Sequence, residues 1–258
     1  MWTPSNFAPR AMFCLVHGLG EHSGRYADFA QTWLQRGFGT LAFDLQGHGK
    51  SDGWRGCIDS FDGLMLDIES AMLVLENRFP ASQHILYGHS MGGNLVLNYG
   101  LRNRRPQPRS VVASGAFLRP KRLPSKLDLK MARAASILLP HYRLVAPVRA
   151  EGLTRDKSQQ DAYRHDEFVH RMLSLRLGAA VLDAGHWAIQ HARELNFPAL
   201  VMHGSADELT CPEASRQFAR NSNSLCTWRI FEGFLHDIHR DIGRDEVFDL
   251  VQTWIESS

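Results

Sequence analysis

His84-Ile85-Leu86-Tyr87-Gly88-His89-Ser90-Met91-Gly92-Gly93-Asn94-Leu95 is the stretch that decides the fold. It predicts a short apolar strand, a glycine-rich turn and an apolar helix, which is the setting of a G-x-S-x-G nucleophile elbow. Gly88 and Gly92 have no side chain, so the strand and the helix can pass each other closely. Ser90 then stands at the apex of the turn, and the N–H of Met91 faces the reacting carbonyl. A glycine-rich turn with a solvent-exposed serine is the simpler alternative.

Apolar strands alternate with amphipathic helices on both sides of this stretch. Further strands are predicted at residues 12–16, 40–43, 110–114, 199–203 and 227–231. Continuous apolar runs separated by helical patterns are typical of a mostly parallel sheet that is covered on both faces. The sequence therefore predicts an α/β fold with helices on both sides of a central sheet.

The alternation breaks between residues 116 and 191, in a segment rich in Arg, Leu and Met and punctuated by prolines. We predict several short helices there. The chain then divides into a first core part at 1–115, a helical cap insert at 116–191 and a second core part at 192–258. Active residues of parallel sheets lie at the carboxyl ends of the strands, so this cap insert should lie over that edge.

A serine hydroxyl becomes a good nucleophile only when a base accepts its proton and a carboxylate orients that base. Behind an elbow of this kind the chain order is serine, acid, histidine. Asp207 lies in a glycine turn just beyond the strand at 199–203, and His236 lies in the loop after the last strand. His239 is the competing base, three residues later. Glu208, beside the predicted acid, is expected to point elsewhere.

The oxyanion of an acyl-transfer reaction needs a second N–H donor besides that of Met91. The loop at residues 17–20, which follows the first apolar strand, can provide it. Leu19 is the predicted donor and Gly20 the alternative. Three polar residues of the glycine-rich loops are expected to brace turns rather than to take part in chemistry: His17, Asp44 and His48.

Composition narrows the class of protein. The chain has 258 residues, 44% of them hydrophobic, and a formal net charge of +2. That length suits one α/β domain with a large core, and the balanced charge argues against a nucleic-acid partner. The four cysteines show neither metal-site spacing nor a disulfide framework, which favours a reducing, cytoplasmic setting. No apolar run approaches the roughly 18 residues of a membrane span.

Several motifs together resemble the monoacylglycerol lipase and lysophospholipase branch of the α/β-hydrolases. The most specific is His17-Gly18-Leu19-Gly20-Glu21-His22-Ser23-Gly24-Arg25-Tyr26, combined with Gly88-His89-Ser90-Met91-Gly92-Gly93. The other motifs follow in the order of that family: Asp44-x-x-Gly47-His48-Gly49-x-Ser51, Asp166-Glu167-Phe168-Val169-His170, His203-Gly204-Ser205-Ala206-Asp207 and Glu232-Gly233-x-x-His236. The likeness extends from about Trp2 to Ile255.

The resemblance implies an α/β-hydrolase fold with an eight-stranded sheet and a helical cap. It implies no metal or other cofactor, and a reaction on single-chain acyl esters of glycerol or glycerophospholipid. It places the nucleophile at Ser90, the acid at Asp207, the base at His236 and the oxyanion donors at Leu19 and Met91. A monoacylglycerol lipase-like ester hydrolase is the first prediction, and a lysophospholipase or general carboxylesterase is the alternative.

Two departures and one rival remain. The pattern lacks the first edge strand that members carry before the position of Trp2, and Glu167 replaces a usual proline of the cap. The rival is a catalytically inactive hydrolase fold that serves as a binding module. Such a protein is expected to have lost a member of the triad, and Ser90, Asp207 and His236 are all present.

The part of the cap insert before Pro140 is unusually apolar for a surface segment. Its apolar residues are Leu127, Leu129, Met131, Ala135, Ile137, Leu138 and Leu139. Some of them must pack on the sheet domain, but a contiguous exposed patch would mark an interaction site. We predict transient association of this segment with a membrane surface. The pattern makes no prediction of the oligomeric state.

Overall fold

A parallel sheet forms the centre of the molecule in the computed structural model, which describes residues 1–3, 9–123 and 125–257. The strands are β1 Ala11–Val16, β2 Gly39–Ala42, β3 Gln83–His89, β4 Ser110–Ser114, β5 Arg143–Val145, β6 Met172–Ser174, β7 Ala199–Gly204 and β8 Cys226–Phe231. Six of them pair in parallel in the order β2-β1-β3-β4-β7-β8. Their carboxyl ends therefore share one edge of the sheet.

Eight α-helices accompany the strands in the described ranges. They are α1 Ala27–Gln35, α2 Phe61–Arg78, α3 Met91–Leu101, α4 Lys126–Leu138, α5 Lys157–His165, α6 Leu175–His191, α7 Pro212–Asn221 and α8 Asp245–Ser257. One-turn 3-10 helices lie at Ser23–Tyr26, Ala150–Gly152, Ala192–Glu194 and Ile238–Arg240. None of the described helices is long and apolar enough to cross a bilayer.

The sheet separates two apolar layers. Alternate residues of β1 point to opposite faces: Met12, Cys14 and Val16 join the layer formed with α2, α3, α6 and α7, whereas Phe13 and Leu15 join the layer formed with α1 and α8. All six residues of β1 are buried, as a strand covered on both faces requires. The predicted α/β architecture with helices on both faces of the sheet is confirmed.

The edge of the sheet differs from the eight strands that the resemblance implies. Six strands pair in the central sheet among the described residues. Beyond β2, the described part of the chain adds an antiparallel bridge, in which Trp2 and Thr40 exchange two backbone hydrogen bonds of 2.8 Å. Residues 4–8, which follow this bridge in sequence, lie outside the described part of the chain. The expectation of eight strands is therefore wrong for the described residues.

The cap insert contains more than short helices. β5 and β6 form an antiparallel pair, with Arg143 opposite Ser174, and α6 is a 17-residue helix. The amide of Asn94 on α3 donates to the carbonyl of Val181, and that of Asn98 to the carbonyl of Ala184. These bonds fix α6 against the core helix that follows the elbow, while α4 packs on the outer side of α6.

Candidate active site

The predicted elbow has the required shape. β3 ends at His89 and α3 begins at Met91, so Ser90 alone makes the turn, with φ 55° and ψ −116°. This backbone conformation costs a non-glycine residue about 1–3 kcal/mol. A Cβ at Gly88 would lie 2.2 Å from the carbonyl oxygen of Gly92. A Cβ at Gly92 would lie 2.1 Å from the carbonyl oxygen of Val16 at the end of β1, so neither position has room for a side chain.

Backbone hydrogen bonds hold the strained turn in place. The Ser90 N–H donates to the carbonyl of Ser114 at the end of β4, at 2.9 Å. The Ser90 carbonyl accepts the N–H of Asn94 at 3.1 Å and that of Phe117 at 2.9 Å. The position of the serine is therefore fixed by the neighbouring strand, by the first turn of α3 and by the start of the cap insert.

Asp207 and His236 meet behind this serine. The Nδ1–H of His236 donates to Oδ2 of Asp207 at 2.7 Å, and both side chains are buried. Burial alone raises the pKa of Asp207, but the charge of His236 and its hydrogen bonds outweigh burial and lower that pKa. Burial lowers the pKa of His236, but Asp207 more than compensates and raises it above the ordinary value of 6.5. The pair is arranged to stabilise an imidazolium.

Further donors hold the carboxylate of Asp207. Its Oδ1 accepts the N–H groups of Leu209 and Thr210 at 2.8 and 2.9 Å, and its Oδ2 lies 2.7 Å from the Thr210 hydroxyl and 3.0 Å from His203 Nε2. His203 is fully buried, and burial lowers its pKa, so its ring is neutral. Its Nε2–H therefore points to Asp207, and its Nδ1 accepts the Ser215 hydroxyl at 2.9 Å.

Ser90 and His236 share a cavity of about 380 Å³ at the carboxyl edge of the sheet. No hydrogen bond joins the Ser90 hydroxyl to His236 in the described part of the structure. The rest of the wall is mainly apolar and includes Phe117, Leu153, Leu173, Leu177, Val181 and Leu182. Leu19 and Met91 also line the cavity, and among the described residues no hydrogen bond uses either of their N–H groups. The site thus combines two free donors with an apolar chamber.

The competing residues are placed elsewhere. His239 lies in the 3-10 turn before α8, stacked on Tyr26 with ring centroids 5.3 Å apart. Burial lowers the pKa of its imidazole well below 6.5, and neither ring nitrogen has a hydrogen-bond partner in the described structure. Glu208 is exposed to solvent. The structure therefore brings His236, and not His239, to Asp207.

The polar residues of the two glycine-rich loops brace those loops, as expected from the sequence. His17 Nε2 accepts the N–H of Leu45 at 3.0 Å, which leaves its Nδ1–H to donate to the carbonyl of Gly18 at 2.8 Å. Asp44 accepts the N–H of Ser23 at 2.8 Å. These bonds tie the loop that carries Leu19 to the loop after β2.

A second buried histidine–carboxylate pair lies beside the first and was not predicted. His89 Nε2 lies 2.8 Å from Asp237 Oδ1, and the His89 and His236 rings are 4.7 Å apart. Arg240 donates to Asp237 at 3.1 Å and to Glu21 at 3.3 Å. The sequence signal was the Asp237 that follows His236, but its partner depends on the fold. Glu21 thus pairs with both Arg25 and Arg240, and Asp237 pairs with both His89 and Arg240.

The chain is similar to several known proteins. A family described as serine aminopeptidase S33 matches residues 8–243. A monoacylglycerol lipase of Mycolicibacterium smegmatis is 30% identical over 100% of this chain and 91% of its own length. An uncharacterized abhydrolase domain-containing protein of Dictyostelium discoideum is also 30% identical over 99% of this chain, but the chain spans only 27% of that protein.

Solved structures extend the likeness to three dimensions. The crystal structure of a monoacylglycerol lipase from Paleococcus ferrophilus superposes with a TM-score of 0.87 at 32% identity, covering 100% of this chain and 97% of that one. A monoglyceride lipase from Saccharomyces cerevisiae has a TM-score of 0.89 at 20% identity, over 99% and 90% of the two chains, and supports the fold alone. The chain belongs to the serine aminopeptidase S33 family of α/β-hydrolases, in its monoacylglycerol lipase branch.

Proposed function

We propose that this chain is a serine ester hydrolase that cleaves single-chain acyl esters, with Ser90 as nucleophile, His236 as base and Asp207 as acid. The general class, a carboxylic ester hydrolase, follows from relatives that are named monoacylglycerol lipases. One observation supports the mechanism: the strained Ser90 and His236, which is bonded to Asp207, line the same mainly apolar cavity. A lysophospholipase is the second candidate, because Arg149 and Arg171 line a second cavity that shares wall residues with this one.

The reaction follows from the geometry. His236 Nε2 takes the proton of Ser90 as its Oγ attacks the ester carbonyl, and Asp207 stabilises the imidazolium. The N–H groups of Leu19 and Met91 hold the oxyanion, where one such donor is worth about 10²–10³ in kcat. The proton returns to the leaving alcohol and an acyl-enzyme forms. Water, activated by His236, then attacks the acyl-enzyme and releases the fatty acid.

The cavity favours esters over the peptides that the family description suggests. An aminopeptidase needs a free carboxylate near its nucleophile to bind the substrate's α-ammonium group. The two carboxylates that line this cavity, Glu21 and Asp237, are both held by Arg240. Most of the remaining wall is apolar and suits an acyl chain, and about 380 Å³ is within the usual range of ligand pockets.

A hydrolysis panel tests the proposal. One preparation is compared on monoacylglycerols, diacylglycerols, lysophospholipids, p-nitrophenyl esters and an aminoacyl p-nitroanilide, with fluorophosphonate labelling as a check on the nucleophile. We expect turnover of single-chain esters and stoichiometric labelling. Cleavage of the anilide without ester turnover would make the chain a peptidase, and no turnover together with no labelling would make it a binding module.

The hydrogen bond from His203 to Asp207 gives a pH prediction. His203→Leu removes a donor from the carboxylate, which then interacts more strongly with His236 and raises the pKa of the base. Because only neutral His236 accepts the serine proton, activity requires a pH above that pKa. We expect the rising limb of kcat/KM to move to higher pH in the leucine variant. A lost hydrogen bond to a charged group also costs about 1.5–3 kcal/mol of stability.

The matched control is His203→Gln, whose amide can still donate to Asp207. The pH dependence of kcat/KM is measured for both variants and the parent, with thermal unfolding beside it. In the glutamine variant, the rising limb of kcat/KM should lie closer to the pH of the parent than in the leucine variant. If both variants lose stability equally and neither moves the pH limb, His203 only fills space.

We propose that residues 116–191 act as the cap of this site. The insert supplies Phe117, Leu153, Leu173, Leu177 and Val181 to the cavity wall. Its outer part is strongly apolar: Leu127, Met131, Ile137, Leu138 and Leu139 are each more than half exposed. Exposed apolar side chains continue into β5 with Leu144 and Val145, and Trp54 packs there against His141. Such a patch suits reversible binding to a lipid surface.

Vesicle binding through this patch can be tested by changing two of its leucines. Leu138 and Leu139 are 79% and 58% exposed, so Leu138→Asp/Leu139→Asp removes surface apolar area without disturbing the core. We expect weaker co-sedimentation with phospholipid vesicles and nearly unchanged turnover of water-soluble p-nitrophenyl acetate. Each methylene kept out of water is worth about 0.8 kcal/mol, so the loss should be large.

A matched control is Leu66→Asp/Leu73→Asp on α2, which changes two other exposed leucines by the same chemistry. This control should bind vesicles like the parent. Failure of the parent to bind, or equal weakening in both double variants, would leave the patch without a membrane role.

A further inference from the structure

A second cavity adjoins the apolar one. Its volume is about 420 Å³, and it shares Val148 and Tyr163 with the wall of the cavity that contains Ser90. Its wall also contains Arg149, Arg164 and Arg171, together with the apolar side chains of Ala150 and Val169. We call it the polar cavity, because the wall of the first cavity is mainly apolar. A ligand that reaches from the first cavity into this one would place its far end beside these arginines.

The charges in the polar cavity do not cancel. Arg164 is neutralised by ion pairs with Glu151 and Asp161. Asp166 accepts a 2.8 Å hydrogen bond from His22 and is partly buried. These bonds occupy the two carboxylates that line the polar cavity, Glu151 and Asp166.

Two arginines remain. In the described part of the chain, neither Arg149 nor Arg171 forms an ion pair or a side-chain hydrogen bond, and both are exposed at the cavity. His170 is uncharged at neutral pH because burial lowers its pKa to about 4, and Tyr163 is uncharged because burial raises its pKa to about 12. The polar cavity thus presents two free guanidinium groups, which bind phosphate oxygens in a planar, bidentate fashion.

Tyr163 marks the boundary between the two cavities. Its ring is fixed by the guanidinium of Arg25, 4.9 Å from the ring centroid. With the acyl chain in the apolar cavity and the ester carbonyl at Ser90, the leaving alcohol needs a polar space beside the site. The polar cavity, which shares Val148 and Tyr163 with the wall of the Ser90 cavity, offers such a space.

We propose that the polar cavity binds the phosphate of a glycerophospholipid head group, so that this enzyme prefers single-chain lysophospholipids with a net negative head over neutral monoacylglycerols. The proposal rests on the ester hydrolase function argued above and names its substrate class. Arg149 and Arg171 are specificity-determining residues in this assignment: they contact the leaving alcohol and not the reacting atoms. A zwitterionic choline head gains less, because its ammonium group meets the same two cations.

The test compares three octanoyl esters below their micelle concentrations, so that charge on an aggregate surface plays no part. They are 1-octanoylglycerol, 1-octanoyl-glycerophosphocholine and 1-octanoyl-glycerophosphoglycerol. The parent should show the highest kcat/KM on the anionic ester. In Arg149→Gln/Arg171→Gln, the ratio of kcat/KM between the anionic and the neutral ester should fall about tenfold, since two exposed charge contacts contribute modestly. Raising the salt concentration should reduce the same ratio in the parent.

The control is Arg216→Gln/Arg220→Gln on α7, which removes the same total charge from arginines that are exposed and paired with Glu213. Its ratio should equal that of the parent. The inference is overturned if the parent turns over octanoylglycerol as well as the anionic ester, or if both double variants change the ratio alike; the ester hydrolase function then still stands. If none of the three esters is cleaved, the proposed function fails and the inference fails with it.

Discussion

Ser90→Ala should remove almost all ester hydrolysis while the protein stays folded. The alanine lacks the hydroxyl that attacks the carbonyl, and loss of the nucleophile in a serine hydrolase lowers kcat by about 10⁶. A residual rate of about 10³–10⁴ over water can survive, because the donors at Leu19 and Met91 and the cavity wall remain. The measurement is turnover of an octanoyl ester together with fluorophosphonate labelling, which should disappear.

Ser90→Gly provides a matched control for the strained turn. The glycine variant should be as inactive as the alanine variant, because both lack the hydroxyl. At φ 55° the alanine keeps the backbone strain of about 1–3 kcal/mol, whereas glycine relieves it. Glycine loses more conformational entropy on folding than alanine does, which costs about 0.5–1 kcal/mol. We therefore expect the glycine variant to be about 1 kcal/mol more stable than the alanine variant.

Chemical denaturation of the two variants measures that difference. If the alanine variant retains turnover or labelling like that of the parent, a residue other than Ser90 is the nucleophile. A glycine variant that is less stable than the alanine variant would show that the hydrogen bonds around residue 90, rather than tolerance of its φ angle, set the local stability.

The fold was predictable because its decisive signals are local. Gly88 and Gly92 predict a close approach of strand and helix. The continuous apolar run of β1 predicts a strand whose residues are buried on both faces of the sheet. The pair β5–β6 was not foreseen, since each strand has three residues and β5 is exposed along its whole length. A strand of three residues is too short to show the alternation of apolar and polar residues that distinguishes a strand from a loop. The strand count that the resemblance implied was too high for the described residues.

The site was predictable in its chain order and not in its surroundings. Asp207 and His236 could be chosen because each follows a strand, and the structure joins them at 2.7 Å. The donors that hold Asp207 arise from tertiary packing: Ser215 lies on α7 and reaches His203 only after β7 and α7 have packed together. The free charges of Arg149 and Arg171 are also invisible in sequence, because they depend on which carboxylates find other partners.

Replacement of each of the two C-terminal histidines decides which one is the base. His236→Ala should lower kcat by about 10⁶, because the group that takes the serine proton is gone and Asp207 has nothing left to orient. His239 sits among Tyr26, Phe29, Tyr87 and His89 with its pKa held well below 6.5, so it cannot replace the missing base at neutral pH.

The informative partner is His239→Phe, which keeps an aromatic ring in that cluster and avoids the cavity that alanine would create. The ring nitrogens of His239 form no hydrogen bond with a described residue, so replacement by phenylalanine breaks none of the described hydrogen bonds. We expect this variant to keep kcat/KM within a few-fold of the parent, with an unchanged pH limb, while the Asp207–His236 bond at 2.7 Å persists. Steady-state kinetics on an octanoyl ester and thermal unfolding measure both properties. The phenylalanine variant contradicts this assignment if it folds like the parent yet loses activity as completely as His236→Ala. In that case His239 is the base, and the proton of Ser90 reaches it through His89.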